Sequence, residues 1–177
     1  MRYLGTIAII VITLHTGHGD AADILQLADE DTIVVSADEA WEDAGQDILH
    51  FRGHFEIRTP RWRLSAHEAT IYGNLDNPQR IVADGMADGL PVQFFFLGSD
   101  LDNVTGTAGE GQHLEYVQAT GLLTLSGKAK LSSGTRTMRS STIQYNLEKQ
   151  QLQAGGEEGV QVTVEPGDLK KITEPRP

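Results

Sequence analysis

A chain of 177 residues is long enough for one domain and too short for two of ordinary size. With 14 basic and 25 acidic residues its net charge is −11, a field that repels nucleic acid and gives no general attraction to an anionic membrane. It holds no cysteine, so a disulfide frame, a lipoprotein anchor and a thiolate metal site are ruled out.

The N-terminus is an element of its own. Arg2 precedes an apolar run from Tyr3 to Leu14, and the small residues Gly17, Gly19, Ala21 and Ala22 follow. This layout predicts a secretory signal over residues 1–22, cleaved near 19–22. The apolar run is shorter than the roughly 20 residues a membrane-spanning helix needs. An uncleaved anchor is the alternative. The mature chain is expected to be exported, in a Gram-negative cell to the periplasm or a surface beyond it.

From residue 32 onward, strand signals dominate. "TIVVSA" (32–37) is a β-branched run. "ILHFRGHFEIR" (48–58) alternates, with Leu49, Phe51, Phe55 and Ile57 on one side and His50, Arg52, His54, Glu56 and Arg58 on the other. Period two predicts one buried and one wet face. "RWRLSAHEATIY" continues the pattern, with Leu64 inward, after a turn at Thr59-Pro60. "NLDNP" (74–78) is turn chemistry. "RIVADG" and "PVQFFFLG" are short strands, the second phased here with Phe94 and Phe96 inward. "EGQHLEYVQATG" places Leu114 and Tyr116 on one face. "LLTLSGKAKL" sets Leu123, Leu125, Ala129 and Leu131 against Thr124, Ser126, Lys128 and Lys130. "TMRSSTIQYNLE" follows, with Met138 inward, then "KQQLQA", and "VQVTV" (160–164) is the last strand. No segment has helical spacing. Residues 23–165 therefore read as one antiparallel all-β domain, a sandwich, jelly roll or barrel, and 166–177 as a loose tail.

One stretch is written twice. "ILHFRGHFEIRTPRWRLSAHEATI" (48–71) realigns without a gap on "LLTLSGKAKLSSGTRTMRSSTIQY" (122–145), 74 positions later. Gly53 and Gly127 fall at the same place inside the two copies, where a glycine marks a bulge or a sharp bend. Stacked copies with the same inward face would extend one apolar surface.

Residues that carry chemistry are scattered. His50 and His54 lie roughly 13 Å apart at the usual strand rise, too far for one metal ion. Asp100 and Asp102 in "GSDLDN" lack the partners of a calcium loop. No Gly-x-Ser-x-Gly nucleophile motif occurs, "GEGQ" is too short for a phosphate loop, and Glu157-Glu158 sits among glycines as a solvated turn. No cofactor, metal or catalytic group is expected. One basic cluster stands out, Arg52, Arg58, Arg61 and Arg63 around Trp62. Charge balance on an outer face is its plain explanation; contact with phosphate is the other.

Three stretches in this order resemble the OstA-like, or LptA, family of lipopolysaccharide-transport proteins: "ILHFRGHFEIRTPRWRLSAHEATIY", "GEGQHLEYVQATGLLTLSGKAKL" and "TMRSSTIQYNLEKQQLQA". The resemblance spans about residues 32–164. It departs from the family pattern at Gly53-His54 and Gly127-Lys128, where Gly-Asn is usual, at Ala66-His67 for Ala-Asp, and at Ser140-Ser141 for Gly-Asp.

The resemblance implies an open, V-shaped β-jelly roll of two sheets. It implies a non-enzymatic periplasmic protein that holds the acyl chains of lipopolysaccharide inside and passes the lipid from an inner-membrane to an outer-membrane complex. The lining would be Leu49, Phe51, Phe55, Ile57, Leu64, Phe94, Phe96, Leu114, Tyr116, Leu123, Leu125, Leu131 and Met138. The edge strands would carry Ile33, Val34 and Val35 at one end and Val160, Val162 and Val164 at the other. Through them the chain would join an LptC-like inner-membrane partner, an LptD-like outer-membrane partner and its own copies head to tail. The alternatives are an anchored LptC-like relative, a closed β-sandwich module for carbohydrate or protein, and a cupin-like enzyme. The low aromatic content, 6%, and the missing ligand cluster count against the last two.

Overall fold

The computed structural model describes residues 10–12, 32–43, 45–86, 89–97, 106–147, 149 and 151–164. Strands in chain order are Ile10–Ile12 (β1), Ile33–Ser36 (β2), Glu39–Asp43 (β3), Ile48–Arg58 (β4), Trp62–Asn74 (β5) and Asn77–Asp84 (β6). Then come Val92–Leu97 (β7), Gly106–Gly111 (β8), His113–Val117 (β9), Leu122–Ser133 (β10), Arg136–Asn146 (β11) and Gln151–Val164 (β12). A single 3-10 turn, Gln118–Thr120, is the one helical piece among the described residues. All ladders are antiparallel.

The long strands serve two sheets. In β4, residues 48–52 pair with β3 and residues 56–58 pair with β2. In β5, residues 62–65 pair with β7 and 68–74 with β6. β10 divides in the same way between β9 and β8. One sheet thus runs β3-β4-β5-β6-β9-β10-β11-β12, and the other β1-β2-β4-β5-β7-β8-β10-β11-β12. The shared strands cross from sheet to sheet and join the layers along one side. No ladder among the described residues joins the opposite margins.

The crossings sit at the two in-strand glycines. The β4–β5 register slips between Arg52 and Phe55, and the β10–β11 register slips between Ser126 and Ala129. Both bulges use two consecutive left-handed residues, Gly53-His54 (φ 72° and 47°) and Gly127-Lys128 (φ 72° and 55°). Glycine takes this conformation freely, and Asn tolerates it best among the others. That explains the usual Gly-Asn and makes Lys128 a strained choice. His54 is partly compensated, because its Nδ1 lies 2.8 Å from Asp38 Oδ2. Lys128→Asn is therefore expected to stabilise the roll by about 1 kcal/mol, seen as a rise of about 2–4 °C in Tm. An unchanged Tm would show that the bulge is relaxed with lysine in place.

The echo is larger than the repeated sequence. β2, β3, β4 and β5 recur 74 positions later in β8, β9, β10 and β11, with their registers intact. Val35 pairs with Ile57 as Gly109 pairs with Leu131. Ala40 pairs with Phe51 as Leu114 pairs with Leu125. Leu49 pairs with Ile71 as Leu123 pairs with Tyr145. The copies part only at the last hairpin, where Ile71 meets Ile81 but Tyr145 meets Leu152.

Several expectations need correction. β3 and β8 are strands that alternation did not reveal. "KQQLQA" and "VQVTV" are one strand, β12, and the Gly155–Gly159 region expected to be a turn is a bulge within it. The turn expected at 74–78 is confined to residues 75–76. Ile10–Ile12, inside the expected signal segment, pairs with β2. The rest of that segment, the tail 166–177, and Asp100 and Asp102 lie outside the described residues.

Candidate functional site: an apolar interior and two strand edges

Alternation aims one face of each strand into the space between the sheets. Phe51, Phe55, Ile57, Leu64, Phe94, Phe96, Leu114, Tyr116, Leu123, Leu125 and Leu131 are buried there, and Leu49 and Met138 pack against them in the same cluster. Phe95 points out and is 36% exposed, so β7 has the phase expected. The Phe51 and Phe55 rings stand 5.1 Å apart. The interior is thus one apolar body running through both repeats.

Further lining residues escaped sequence reasoning: Trp62, Ala69, Ile71, Ile81, Ala83, Val92, Ile143 and Leu147. In β5 the inward set changes phase, from Trp62 and Leu64 to Ala69 and Ile71, as the strand passes from one sheet to the other opposite the Gly53 bulge. A strict period of two continued from Leu64 leads to Glu68 and Thr70 instead. The bulge glycine was the signal that could have found the shift.

The outer face is polar and ion-paired. Arg52 Nε donates to Glu68 Oε1 at 2.9 Å, and its guanidinium lies 5.4 Å from the Trp41 ring centroid. Arg58 Nη2 donates to both oxygens of Glu56 at 2.8 and 2.9 Å. Such exposed pairs contribute little to stability. Arg61 and Arg63 have no acidic partner among the described residues. Together with Arg58 they line a shallow recess that also takes in Thr59, Trp62, Phe95 and Leu97. Trp62 is buried with its indole Nε1 lacking a hydrogen-bond partner among the described residues. The basic cluster therefore divides: Arg52 and Arg58 are engaged by carboxylates, and Arg61 and Arg63 are not, among the described residues.

No group of three or more His, Asp or Glu side chains among the described residues is placed to hold a metal ion. His50, His54 and His113 each face one carboxylate, Asp43, Asp38 and Asp84. Burial raises the Tyr145 phenol above its usual value, which keeps it neutral at physiological pH.

The ends of the roll differ from its middle. Ile33 and Val35 of β2 are buried and Val34 is exposed. In β12, Val160, Val162 and Val164 are 48%, 54% and 41% exposed, although Ser140 and Met138, the partners of Val160 and Val162 on β11, are buried and half-buried. Exposed apolar residues on a terminal strand whose outer edge is unpaired among the described residues are what a strand-adding partner would cover.

A family model described as "LptA/(LptD N-terminal domain) LPS transport protein" matches residues 34–151, more than half of the chain. The chain belongs to this family. The LptA/LptD N-terminal match starts in β2 and ends at the first residue of β12, so it takes in both repeats. Among solved structures, the chain is similar to LptH of Pseudomonas aeruginosa, described as the LptA-homologous periplasmic component of the conserved lipopolysaccharide transport device. The two are 20% identical with a TM-score of 0.66, over 82% of this chain and 100% of LptH. They share the all-β jelly-roll fold of the LptA family. No curated protein matches this chain. The family is one of transport proteins and not of enzymes.

Proposed function

We propose that this chain is a periplasmic lipopolysaccharide carrier. It shields the acyl chains between its two sheets and bridges inner-membrane and outer-membrane transport complexes through its terminal strands. The observation that carries this function is the apolar interior, one cluster of side chains that draws on both repeats, together with the exposed Val160, Val162 and Val164 of the terminal strand β12. Membership in the transport family supports it. The leader-like residues 1–22 support export.

The inner-membrane partner would be LptC-like and the outer-membrane partner LptD-like, each added by strand pairing, and copies of the chain would join head to tail. Arg61 and Arg63, the two arginines of the cluster without an acidic partner among the described residues, would meet a lipid phosphate; Arg52 and Arg58 would first have to leave Glu68 and Glu56.

Depletion of the protein in its native cell tests the proposal. Newly made lipopolysaccharide is expected to accumulate at the inner membrane. Its normal arrival at the cell surface after depletion would rule out a required carrier role.

A further inference from the structure

We propose that the joint between the two repeats of this chain is the template, residue for residue, for the joint between two of its copies. The inference deepens the edge-pairing part of the proposed function and does not depend on which lipid is carried.

Inside the chain the repeats are joined by two ladders. β6 ends the first repeat in one sheet and pairs with β9, setting Ile81 opposite Tyr116 and Ala83 opposite Leu114. β7 ends it in the other sheet and pairs with β8, setting Phe94 opposite Gly109 and Phe95 opposite Ala108. The second repeat ends in β12 alone, and β12 fills both places. Leu152 lies against Tyr145 as Ile81 lies against Ile71. Val162 lies against Met138 as Phe94 lies against Leu64. At the other end of the chain, β2 and β3 are the counterparts of β8 and β9, with the same registers on β4 that those strands have on β10.

These correspondences fix which residues would meet. Residues 160–164 of one copy align on β2 of the next, with Gln161 opposite Ser36, Val162 opposite Val35, Thr163 opposite Val34 and Val164 opposite Ile33. Residues 151–155 align on β3, with Leu152 opposite Glu42 and Ala154 opposite Ala40. Val162 and Val164, exposed in the single copy, are thereby laid beside the buried Val35 and Ile33.

A second observation reaches the same seat. The free edge of β2 already holds an apolar strand, the chain's own Ile10–Ile12, antiparallel and with Ile10 opposite Val35, Val11 opposite Val34 and Ile12 opposite Ile33. These are the three positions that Val162, Thr163 and Val164 would take. The edge accepts an added antiparallel strand at those three positions. The side chains of β2 and β3 differ from those of β8 and β9, and the sharpest departure is Glu42, which stands where the internal joint has the buried Tyr116. The joint between copies is therefore weaker than the joint within one.

The chain has no cysteine, so single-cysteine copies report the register without background. Two differently tagged copies are co-expressed and exported to the oxidising periplasm of a Gram-negative host. Val34→Cys with Thr163→Cys, and Ser36→Cys with Gln161→Cys, place cysteines directly opposite on the outer face, within the Cα range of a disulfide. The crossed combinations, Val34→Cys with Gln161→Cys and Ser36→Cys with Thr163→Cys, place them two residues out of step, roughly 7–8 Å apart on the diagonal. Disulfide-linked heterodimer is expected several-fold more from the matched pairs than from the crossed ones. Equal yields, a preference for the crossed pairs, or no heterodimer from any pair overturns the template. Glu42→Tyr, which restores the residue of the internal joint, is expected to raise the yield of both matched pairs. An unchanged or lower yield would overturn the equivalence of the two joints. Lipid capture by the interior is read separately, so a failure here and a failure of the carrier function are distinguishable.

Discussion

A photo-reactive residue in place of Phe51 or Leu125 is expected to capture lipopolysaccharide, and one in place of Arg52 or Thr124 to capture several-fold less. The members of each pair are chain neighbours, so their surroundings differ by face alone. Phe51 lies opposite Ala69 and beside Phe55 in the interior. Arg52 lies outside, held by Glu68. The interior side chains close on one another, so an acyl chain would have to displace those contacts. Burial of apolar carbon stabilises by about 0.8 kcal/mol per methylene, so about ten methylenes bring ~8 kcal/mol toward parting the side chains. Equal capture at the two faces would remove the interior as the binding site.

Leu125→Asp is expected to cost about 4 kcal/mol or more, a large share of the roughly 5–15 kcal/mol that holds a domain together. Leu125 has no exposed surface and lies opposite Leu114 on one side and Ile143 on the other. The substitution removes the leucine from its packing and leaves a carboxylate without a partner in an apolar site. Thr124→Gln, one residue earlier on the outer face, is expected to stay within about 0.5 kcal/mol of the unsubstituted chain. Urea midpoints compare the two directly. Similar midpoints for both would mean that the interior is loosely packed or wet.

The central strands were legible because each has one wet and one dry face. β4 was bounded from sequence at residues 48–58, as found. The strands that escaped lack this contrast for particular reasons. β3, "EAWED", lies at the end of the roll, and all of its residues are exposed. β8, "GTAGEG", has almost no side chains to alternate; β7 and β10 hold it from both sides. Its Gly109 is needed for space, since a Cβ there would come within 2.7 Å of Leu125 Cδ1. Tertiary context overrides strand propensity in both cases. The repeat itself was visible only over residues 48–71 and 122–145, because β2 and β3 share neither pattern nor composition with β8 and β9. Of the site, the centre of the lining was legible and its corners were not. Ile71 and Ile143 lie past the point where each strand changes sheets and shifts phase.

The repeat also bears on direction. Two segments with the same backbone registers and similar apolar linings would hold an acyl chain about equally well, and a joint copied from one repeat to the next would continue that evenness into a neighbouring molecule. A ligand moves a system only by the difference in its affinity for two states, and a level track supplies none. Net flow along it would have to be imposed from its ends, by whatever loads the first site and empties the last.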